Sequence, residues 1–354
     1  MVWAGGGELF REPRTALTER RSIFFPKSYE KTSSEPLPTL FTIHGGGWCL
    51  SSARDDDEWN RGFADKYETL VVGLDYSKAP QAPFPAGLND LEALYLAVLN
   101  DHSLPIARAA SGKSRVAVLG FSAGANLALA LTQTPGVKQS PDAPRAAISL
   151  YGMLDLSRNA FDKLRNRYYK PALGIPRGDR VDYLARIAPV FDWAYVPYGQ
   201  DVTDPQVSPA FAGLEDLPRH VYVVGAELDM FAHESWRLAV RLANDGNMAR
   251  GLPADREEPD PSSKLDKIKC AGKRASSKEK GGLELADERY AFEETWDGGA
   301  ASVNWLLVPD AIHGFDNALL RASFGDEEHT RDAELKATAM QERLADWLRG
   351  VVWK

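Results

Sequence analysis

This sequence has little cysteine, no excess of basic charge and no long apolar run. It has two cysteines in 354 residues, Cys49 and Cys270, which excludes a disulfide framework or a cysteine-rich metal cluster. No stretch approaches the roughly eighteen consecutive apolar residues of a membrane span, and the first residues lack the apolar centre of a signal peptide. Lysine and arginine number 42 against 50 acidic residues, a formal net charge of −8. Nucleic acid and anionic lipid are therefore not expected partners, and we expect a cytoplasmic protein that acts on a small molecule.

The apolar residues that are present form short runs, and segments of helical periodicity separate most of them. Such alternation predicts an α/β fold with a mainly parallel sheet and helices on both of its faces. The runs that predict strands are LPTLFTIHG, TLVVGLDY, RVAVLGFS, AAISLYGM, HVYVVGAEL and SVNWLLVPDA. An earlier stretch, ALTERRSIFFPKS, predicts an additional antiparallel edge strand.

Two regions interrupt this alternation. Residues 154–218 are rich in aromatic residues and prolines without a strand period, which predicts a mainly helical cap inserted over the active site. Residues 250–300 are polar and poor in aliphatic side chains, so they bury too little apolar surface to offset chain entropy. We therefore expect a core formed by residues 1–153 and 219–354, a cap at 154–218, and a disordered excursion at 250–300 within the second part of the core.

A serine lies in a turn that small residues flank. Gly120-Phe121-Ser122-Ala123-Gly124 stands between the strand-like RVAVL and the helical ANLALALTQ. So sharp a turn from strand to helix requires residues with little side chain, and it presents the serine hydroxyl at a helix N-terminus. An ordinary turn between a strand and a helix could carry the same letters. The strand–turn–helix context favours the interpretation of Ser122 as a nucleophile over that of an ordinary turn.

A glycine-rich motif, His44-Gly45-Gly46-Gly47-Trp48, follows the strand-like LFTI and precedes the serine turn in the chain. Acyl transfer develops negative charge on a carbonyl oxygen, and bare glycine backbone can bring N–H groups close to that oxygen. A merely flexible glycine loop is the alternative. It does not explain why the motif stands at a strand end ahead of a serine turn, so we interpret the motif as an oxyanion-binding loop.

An acid and a histidine follow in the order serine, acid, histidine that this kind of site requires. Asp229 follows the strand-like HVYVVGAEL and His313 follows SVNWLLVPDAI, at strand ends where open α/β sheets bind ligands. Glu227 competes with Asp229, but the pattern places Glu227 inside the strand. The remaining histidines are expected to be structural, with His102 at the end of a surface helix, His220 before a strand, His233 on a helix and His329 in an acidic turn.

Four motifs in this order, HGGGW, GFSAG, LDMFAHE and HGF, resemble those of the hormone-sensitive-lipase-type esterases, also called family IV or the α/β-hydrolase fold-3 group. The stretch LDYSKAPQAPFPAGLNDLEA is similar to that family's tyrosine, double-proline and aspartate segment. The stretch DPQVSPAFAGLEDLP is similar to its return from cap to core. The similarity covers roughly residues 40–246 and 303–315, and it implies the α/β-hydrolase fold.

Carried over position by position, the resemblance implies Ser122 as nucleophile, Asp229 as acid and His313 as base. It also implies an oxyanion hole formed by the amides of Gly46, Gly47 and Ala123, with His44 and Gly45 shaping the loop. We further expect the substrate to be bordered by Gly45, Trp48 and Phe121. This chemistry requires no cofactor and no metal.

The sequence departs from the family pattern in four ways. Phe121 stands where the family usually has an acidic residue, so the floor of the pocket is expected to be more apolar, and Ala125 stands where glycine is common. About forty residues precede the glycine motif, which is short for the family's N-terminal cap helices, so we expect an open site. The polar excursion is extra, and it separates the acid from the base.

The sequence therefore predicts a serine carboxylesterase for a small or medium ester. Because fold and triad do not fix the reaction, an amidase, a lactonase or a lyase or dehydratase of specialised metabolism is the alternative. A ligand-binding protein of the same fold is a third hypothesis, but such proteins replace the histidine that His313 retains. Aromatic residues of the cap fit an apolar substrate pocket and a cap core equally well. They are Tyr168, Tyr169, Phe191 and Trp193.

Overall fold

Parallel strands form the centre of the structure. The structure is a computed structural model, and it describes residues 2–3, 9–10, 20–30, 33, 35–111, 113–167, 169–174, 177–256, 281–324 and 327–354. The strands in chain order are β1 (Val2–Trp3), β2 (Leu9–Phe10), β3 (Arg21–Phe24), β4 (Thr39–Ile43), β5 (Leu70–Leu74), β6 (Val116–Phe121), β7 (Ala146–Leu150), β8 (His220–Ala226), β9 (Ala291–Trp296) and β10 (Ala301–Val308). They form one sheet in the order β2-β1-β3-β5-β4-β6-β7-β8-β10-β9. Adjacent strands from β5 across to β10 are parallel, as predicted.

The central strands are buried on both faces, which explains why their sequences are continuous apolar runs. Every residue of β4, β5, β6, β7 and β8 is buried. Side chains of a strand alternate between the two faces, so neighbours such as Val118 and Leu119 enter separate hydrophobic clusters. The α/β prediction from the sequence is thereby confirmed.

Helices cover both faces of this sheet. They are α1 (Asp57–Tyr67), α2 (Ala86–Asn100), α3 (Ala123–Gln133), α4 (Pro135–Lys138), α5 (Ala160–Leu164), α6 (Ala188–Tyr195), α7 (Ala232–Met248), α8 (Ala318–Phe324) and α9 (Glu327–Trp347). The cluster on one face contains apolar residues of α2, α3 and α7, and the cluster on the other contains residues of α1 and α9. No helix in the described part of the chain is both long and apolar enough to cross a membrane.

The long connection between β7 and β8 contains the segment predicted to be a cap. It holds α5 and α6 together with the short helical turns Pro171–Leu173, Tyr183–Arg186 and Pro209–Phe211. Irregular chain makes up most of its described residues, so the segment is less helical than expected. The domain boundaries at 153 and 218 remain predictions.

Two expectations from the sequence require correction. Strand β3 pairs antiparallel with β5 as expected, but it is not an edge strand, because β1 pairs with its other side. The expected excursion at 250–300 includes β9, which pairs antiparallel with β10 over Ala291–Trp296. Strand β9 was not predicted because Ala291, Phe292 and Trp296 are buried while the polar residues between them are exposed or half-buried. The middle of the predicted excursion, residues 257–280, lies outside the described residues.

Candidate active site

The serine turn, residues 120–124, connects β6 directly to α3 through a strained backbone. Ser122 has φ 55° and ψ −118°, a conformation that non-glycine residues rarely adopt. A Cβ at Gly120 would overlap the carbonyl of Gly124, and a Cβ at Gly124 would overlap the carbonyl of Ile43 in β4. Both flanking glycines are therefore required by close backbone approach, which is the physical basis of the sequence pattern.

The glycine loop, residues 44–48, lies against the serine turn. A Cβ at Gly45 would lie 3.2 Å from Cβ of Ser122, which leaves little room for a larger residue. Gly46 and Gly47 have φ values of 106° and 58°, which favour glycine at both positions. The structure thus brings the predicted loop next to the predicted nucleophile.

Asp75 and Tyr76 support this loop, and no role was predicted for either of them. The His44 ring is buried, its Nε2 lies 3.0 Å from Asp75 Oδ1, and it stacks on Tyr76 at 4.4 Å between ring centroids. The Tyr76 hydroxyl donates to the His44 carbonyl at 3.2 Å. The signal in the sequence was the LDY segment, which followed the family pattern without revealing these contacts.

The three residues predicted as nucleophile, base and acid are in hydrogen-bond contact. His313 Nε2 lies 2.8 Å from Ser122 Oγ, and His313 Nδ1 lies 2.7 Å from Asp229 Oδ2. The other oxygen of Asp229 accepts a hydrogen bond from the Phe231 amide at 3.0 Å. Asp229 follows β8 and His313 follows β10, and these strands are parallel neighbours. Their adjacent C-terminal ends explain how residues 84 positions apart meet.

Negative charge surrounds the His313 imidazole. Burial lowers its pKa, but Asp229, followed by Asp182 and Asp316, outweighs burial, so the pKa of His313 is raised above its ordinary value of 6.5. The Tyr151 ring packs edge-on against His313 at 4.8 Å, and its hydroxyl donates to Asp316 at 2.5 Å. The site therefore favours the imidazolium cation that would form if His313 accepted a proton.

Glu227, the competing acid, has other partners. It is the first residue after β8 rather than part of the strand as predicted. Its Oε2 accepts hydrogen bonds from Lys170 Nζ at 2.8 Å and from the Asp310 amide at 2.7 Å. Its Oε1 accepts from the Tyr290 hydroxyl at 2.6 Å. Both carboxylate oxygens of Glu227 thus bond to groups other than His313.

The structure places three of the remaining histidines at other contacts. His220 is the first residue of β8, and its Nδ1 lies 3.0 Å from Ser302 Oγ. His233 lies on α7 beside Trp236. His329 lies in the first turn of α9, not in the acidic turn predicted, and its Nε2 bonds to the Leu173 carbonyl.

Two predicted substrate-contacting side chains are buried in protein contacts. Trp48 is 1% exposed and stacks on Tyr195 of α6 at 4.2 Å, so it joins the glycine loop to the cap. Phe121 is 4% exposed, and Trp59 packs edge-on against it at 5.2 Å. Contact of either side chain with a substrate remains a prediction.

A cavity of about 660 Å³ lies behind the serine turn, and its walls include Phe121, Trp59, Tyr151 and Asp316. Asp56 also lines it, and burial together with the nearby Asp316 raises the pKa of Asp56 to about 8. This part of the wall is therefore less charged at neutral pH than its composition suggests. Most of the remaining lining residues are charged or polar, and none belongs to the predicted triad, so the apolar pocket floor expected from Phe121 remains a prediction.

The cap aromatics differ in burial, and a role of any of them in a substrate pocket remains a prediction. The Phe191 ring occupies the space that any side chain at position 47 would need, so it packs directly on the glycine loop. Trp193 is 77% exposed and Tyr169 is 37% exposed, so neither belongs to a cap core. Tyr168 lies outside the described residues.

Sequence reasoning missed three cap residues that contact the segments carrying the acid and the base. Arg167 donates to the Leu228 carbonyl, Asp182 accepts from the Met230 amide, and Tyr183 donates to the His313 carbonyl. No pattern in the sequence marked them, because the cap has no strand or helix period from which a side-chain direction could be inferred.

The sheet order and the serine turn together define the α/β-hydrolase fold. A family model described as alpha/beta hydrolase fold matches residues 40–252, and the chain belongs to this family. The match confirms the resemblance to the fold-3, hormone-sensitive-lipase-type group.

Named relatives and a solved structure are also similar to this chain. An arylesterase of Saccharolobus solfataricus is 28% identical over 206 residues, which cover 58% of this chain and 61% of the relative. An arylacetamide deacetylase of Mus musculus is 41% identical over 122 residues, 34% of this chain and 29% of the relative. The chain thus spans less than two thirds of the length of these curated relatives. A solved esterase of Pyrobaculum calidifontis has the same fold, with TM-score 0.58 and 21% identity over 90% of this chain and 79% of that one.

Proposed function

We propose that this protein is a serine carboxylesterase that hydrolyses a small or medium carboxylic ester through an acyl-enzyme, with Ser122, His313 and Asp229 as its catalytic triad. The observation that carries the proposal is the continuous hydrogen-bonded chain from Ser122 Oγ through His313 to Asp229, with distances of 2.8 and 2.7 Å. A serine hydroxyl needs an adjacent base to become a nucleophile, and the base needs an oriented tautomer.

In the first half of the reaction, His313 Nε2 takes the proton of Ser122 while Oγ attacks the ester carbonyl. The imidazolium then donates this proton to the leaving alcohol, and an acyl-serine remains. In the second half, water gives its proton to Nε2 and attacks the acyl group, which releases the acid and restores Ser122. Asp229 holds Nδ1–H and stabilises the cation, and the negative surroundings that raise the pKa of His313 act in the same direction.

The amides of Gly46, Gly47 and Ala123 would bind the oxyanion of each tetrahedral intermediate. Two features support this role: the glycine loop lies against Ser122, and Ala123 is the first residue of α3. A helix N-terminus presents unpaired N–H groups and a partial positive charge to such an oxygen. Loss of one oxyanion donor typically costs about 3 kcal/mol of transition-state stabilisation.

The substrate we propose is an uncharged ester with an apolar or aromatic portion. The names of two relatives support this class. The chain is similar to an arylesterase and to an arylacetamide deacetylase. The second of these names makes aryl amides the second candidate substrate class. The expected cytoplasmic location remains a prediction.

The test combines a fluorophosphonate probe, a short-chain aryl ester and the matching aryl amide. Wild-type protein should be labelled covalently and should release the aryl alcohol, and Ser122→Ala should do neither while keeping its melting temperature. Ser149→Ala is the matched control, since Ser149 is also buried but its hydroxyl has no hydrogen-bond partner among the described residues. Undiminished labelling or turnover by Ser122→Ala would reject the assignment. Faster turnover of the amide than of the ester would replace the proposed esterase with an amidase.

A further inference from the structure

The cap holds a buried arginine and a buried aspartate that contact the backbone on either side of Asp229. Arg167 Nε donates to the carbonyl of Leu228 at 2.5 Å, and Asp182 Oδ2 accepts from the amide of Met230 at 3.1 Å. The two side chains are 3% and 4% exposed, and Nε lies 3.6 Å from Oδ2. The residues just before and just after the proposed triad acid are thus both held by the cap.

The cap end of these contacts is itself fixed. Asp182 is the N-cap of the short helix Tyr183–Arg186, and its Oδ1 accepts from the Leu184 amide at 3.0 Å. Arg167 also donates to the Asp179 carbonyl. Side chains held at both ends in this way keep one orientation, so they can transmit the position of the cap to the core.

The contacts reach the base as well as the acid. The Tyr183 hydroxyl, one residue after Asp182, donates to the His313 carbonyl at 3.2 Å. Within the core, the Leu228 amide donates to the Ala311 carbonyl at 2.9 Å, two residues before His313. A shift of Leu228 would therefore displace both partners of the Asp229–His313 hydrogen bond.

We propose, given the triad proposed above, that Arg167 and Asp182 are positioning residues that hold Asp229 in line with His313. Docking of the cap then completes the acid–base half of the site. Neither side chain touches the reacting atoms. We call Arg167 and Asp182 together the clamp. A misplacement of about 1 Å in such a site can lower the rate about 100-fold, so the clamp should determine kcat rather than substrate affinity.

Asp182 has a second effect through its charge. His313 bonds to Ser122 and Asp229, the rings of Tyr151 and Phe231 pack edge-on against it, and the charges of Asp182 and Asp316 also act on it. Arg167 lies on the far side of Asp182 and offsets part of its charge. Because Asp182 helps to favour the imidazolium, removing its charge should move the acidic limb of the pH profile of kcat/KM to lower pH.

The experiment compares Arg167→Met, Asp182→Ala and Asp182→Asn with a matched control, Arg177→Met. Arg177 is a buried cap arginine too, but it pairs with Asp332 of α9 at 3.0 Å, away from the acid and the base. We expect Arg167→Met and Asp182→Ala to lower kcat about 10- to 100-fold on an aryl ester, with KM changed by less than about threefold. Asp182→Asn keeps one acceptor oxygen for the two amides of Leu184 and Met230, so it should lower kcat less than Asp182→Ala and shift the acidic limb downward.

The outcomes separate the clamp from the triad. A fall in kcat with Arg177→Met as large as that with Arg167→Met would reduce the clamp to a general contribution to cap stability and overturn the proposal. A kcat of Asp182→Asn equal to that of wild type would also overturn it, and this variant decides the matter if the other two fail to fold. Activity that persists in Ser122→Ala rejects the triad itself. An inactive Ser122→Ala together with clamp variants indistinguishable from Arg177→Met rejects only the clamp.

Discussion

The two halves of the site are held in place by different forces. The nucleophile half, at the ends of β4 and β6, is held by backbone packed on backbone, with glycine wherever a Cβ would collide. The acid–base half, at the ends of β8 and β10, is held by buried charged side chains that arrive from distant parts of the chain. A short motif can encode the first arrangement, whereas the second requires several segments to fold together.

The network around Glu227 illustrates the second arrangement. Lys170 of the cap donates to Glu227 at 2.8 Å and to Asp310 at 2.6 Å, and Tyr290, just before β9, donates to Glu227 at 2.6 Å. Glu227 lies two residues before Asp229, and Asp310 lies three residues before His313. A cap lysine and the segment before β9 thus fix the strand ends that carry the acid and the base.

The largest expected effect comes from breaking the acid–base half at its centre. His313→Ala should lower kcat/KM for an aryl ester about 10⁴-fold, because it removes the imidazole that lies within hydrogen-bond distance of Ser122 Oγ. His233→Ala is the control and should remain near wild type, since His233 lies on α7 beside Trp236. If His233→Ala were the inactive variant, the choice of base would be wrong.

The pH profile tests the same histidine in the wild-type protein. Only neutral imidazole accepts a proton, so kcat/KM should rise as pH increases through the pKa of His313. Because that pKa is raised, the limb should lie above the ordinary histidine value of 6.5. A limb at lower pH would show that the carboxylates do not outweigh burial.

Breaking the buried network should produce the next largest effect. Lys170→Met leaves Glu227 and Asp310 buried without their cation, and it should lower the free energy of unfolding by about 3–5 kcal/mol in a urea titration. Lys66→Met removes an exposed ion pair with Glu342, so its cost should stay below about 1 kcal/mol. Equal costs for the two variants would contradict the buried role of Lys170.

A single methyl group should break the nucleophile half. A Cβ in Gly124→Ala would overlap two backbone carbonyls, those of Ile43 and His44, which cannot move aside as side chains do. We expect the free energy of unfolding to fall by about 3 kcal/mol and most of the proposed esterase activity to be lost. Gly62→Ala is the control, because Gly62 lies in α1 with open space around its Cα, and it should stabilise the protein by about 0.5–1 kcal/mol. Equal stability of the two variants would show that the serine turn tolerates a side chain.

The smallest effect should come from residues 257–280, which separate the acid from the base in sequence. Replacing them with a short Gly/Ser linker should leave the melting temperature and kcat/KM near wild type, because their composition offers little apolar surface to bury. The flanks have their own contacts, such as Arg256 with Glu294 at 2.8 Å. An excision extended through Trp296 would remove Tyr290 and β9 and should destabilise the protein. Lost activity at an unchanged melting temperature after the shorter excision would instead give the segment a role in the site.

These contrasts explain where prediction from the sequence succeeded. The central strands could be predicted because parallel strands buried on both faces must be apolar throughout. Gly120 and Gly124 marked the serine turn because steric overlap leaves no alternative residue there. Strand β9 could not be predicted, since its polar residues become intelligible only once β10 lies beside it.

By itself the sequence determined the fold class and pointed to candidate site residues at the ends of β4, β6, β8 and β10. Those features depend on local sterics and on apolar periodicity, which neighbouring letters record. Only the tertiary structure decided which buried charges meet, such as Lys170 with Glu227 and Asp310, and Arg167 with the backbone before Asp229. A charged side chain carries no sign of its partner in its own neighbourhood, because the partner is chosen by the folding of segments that are far apart along the chain.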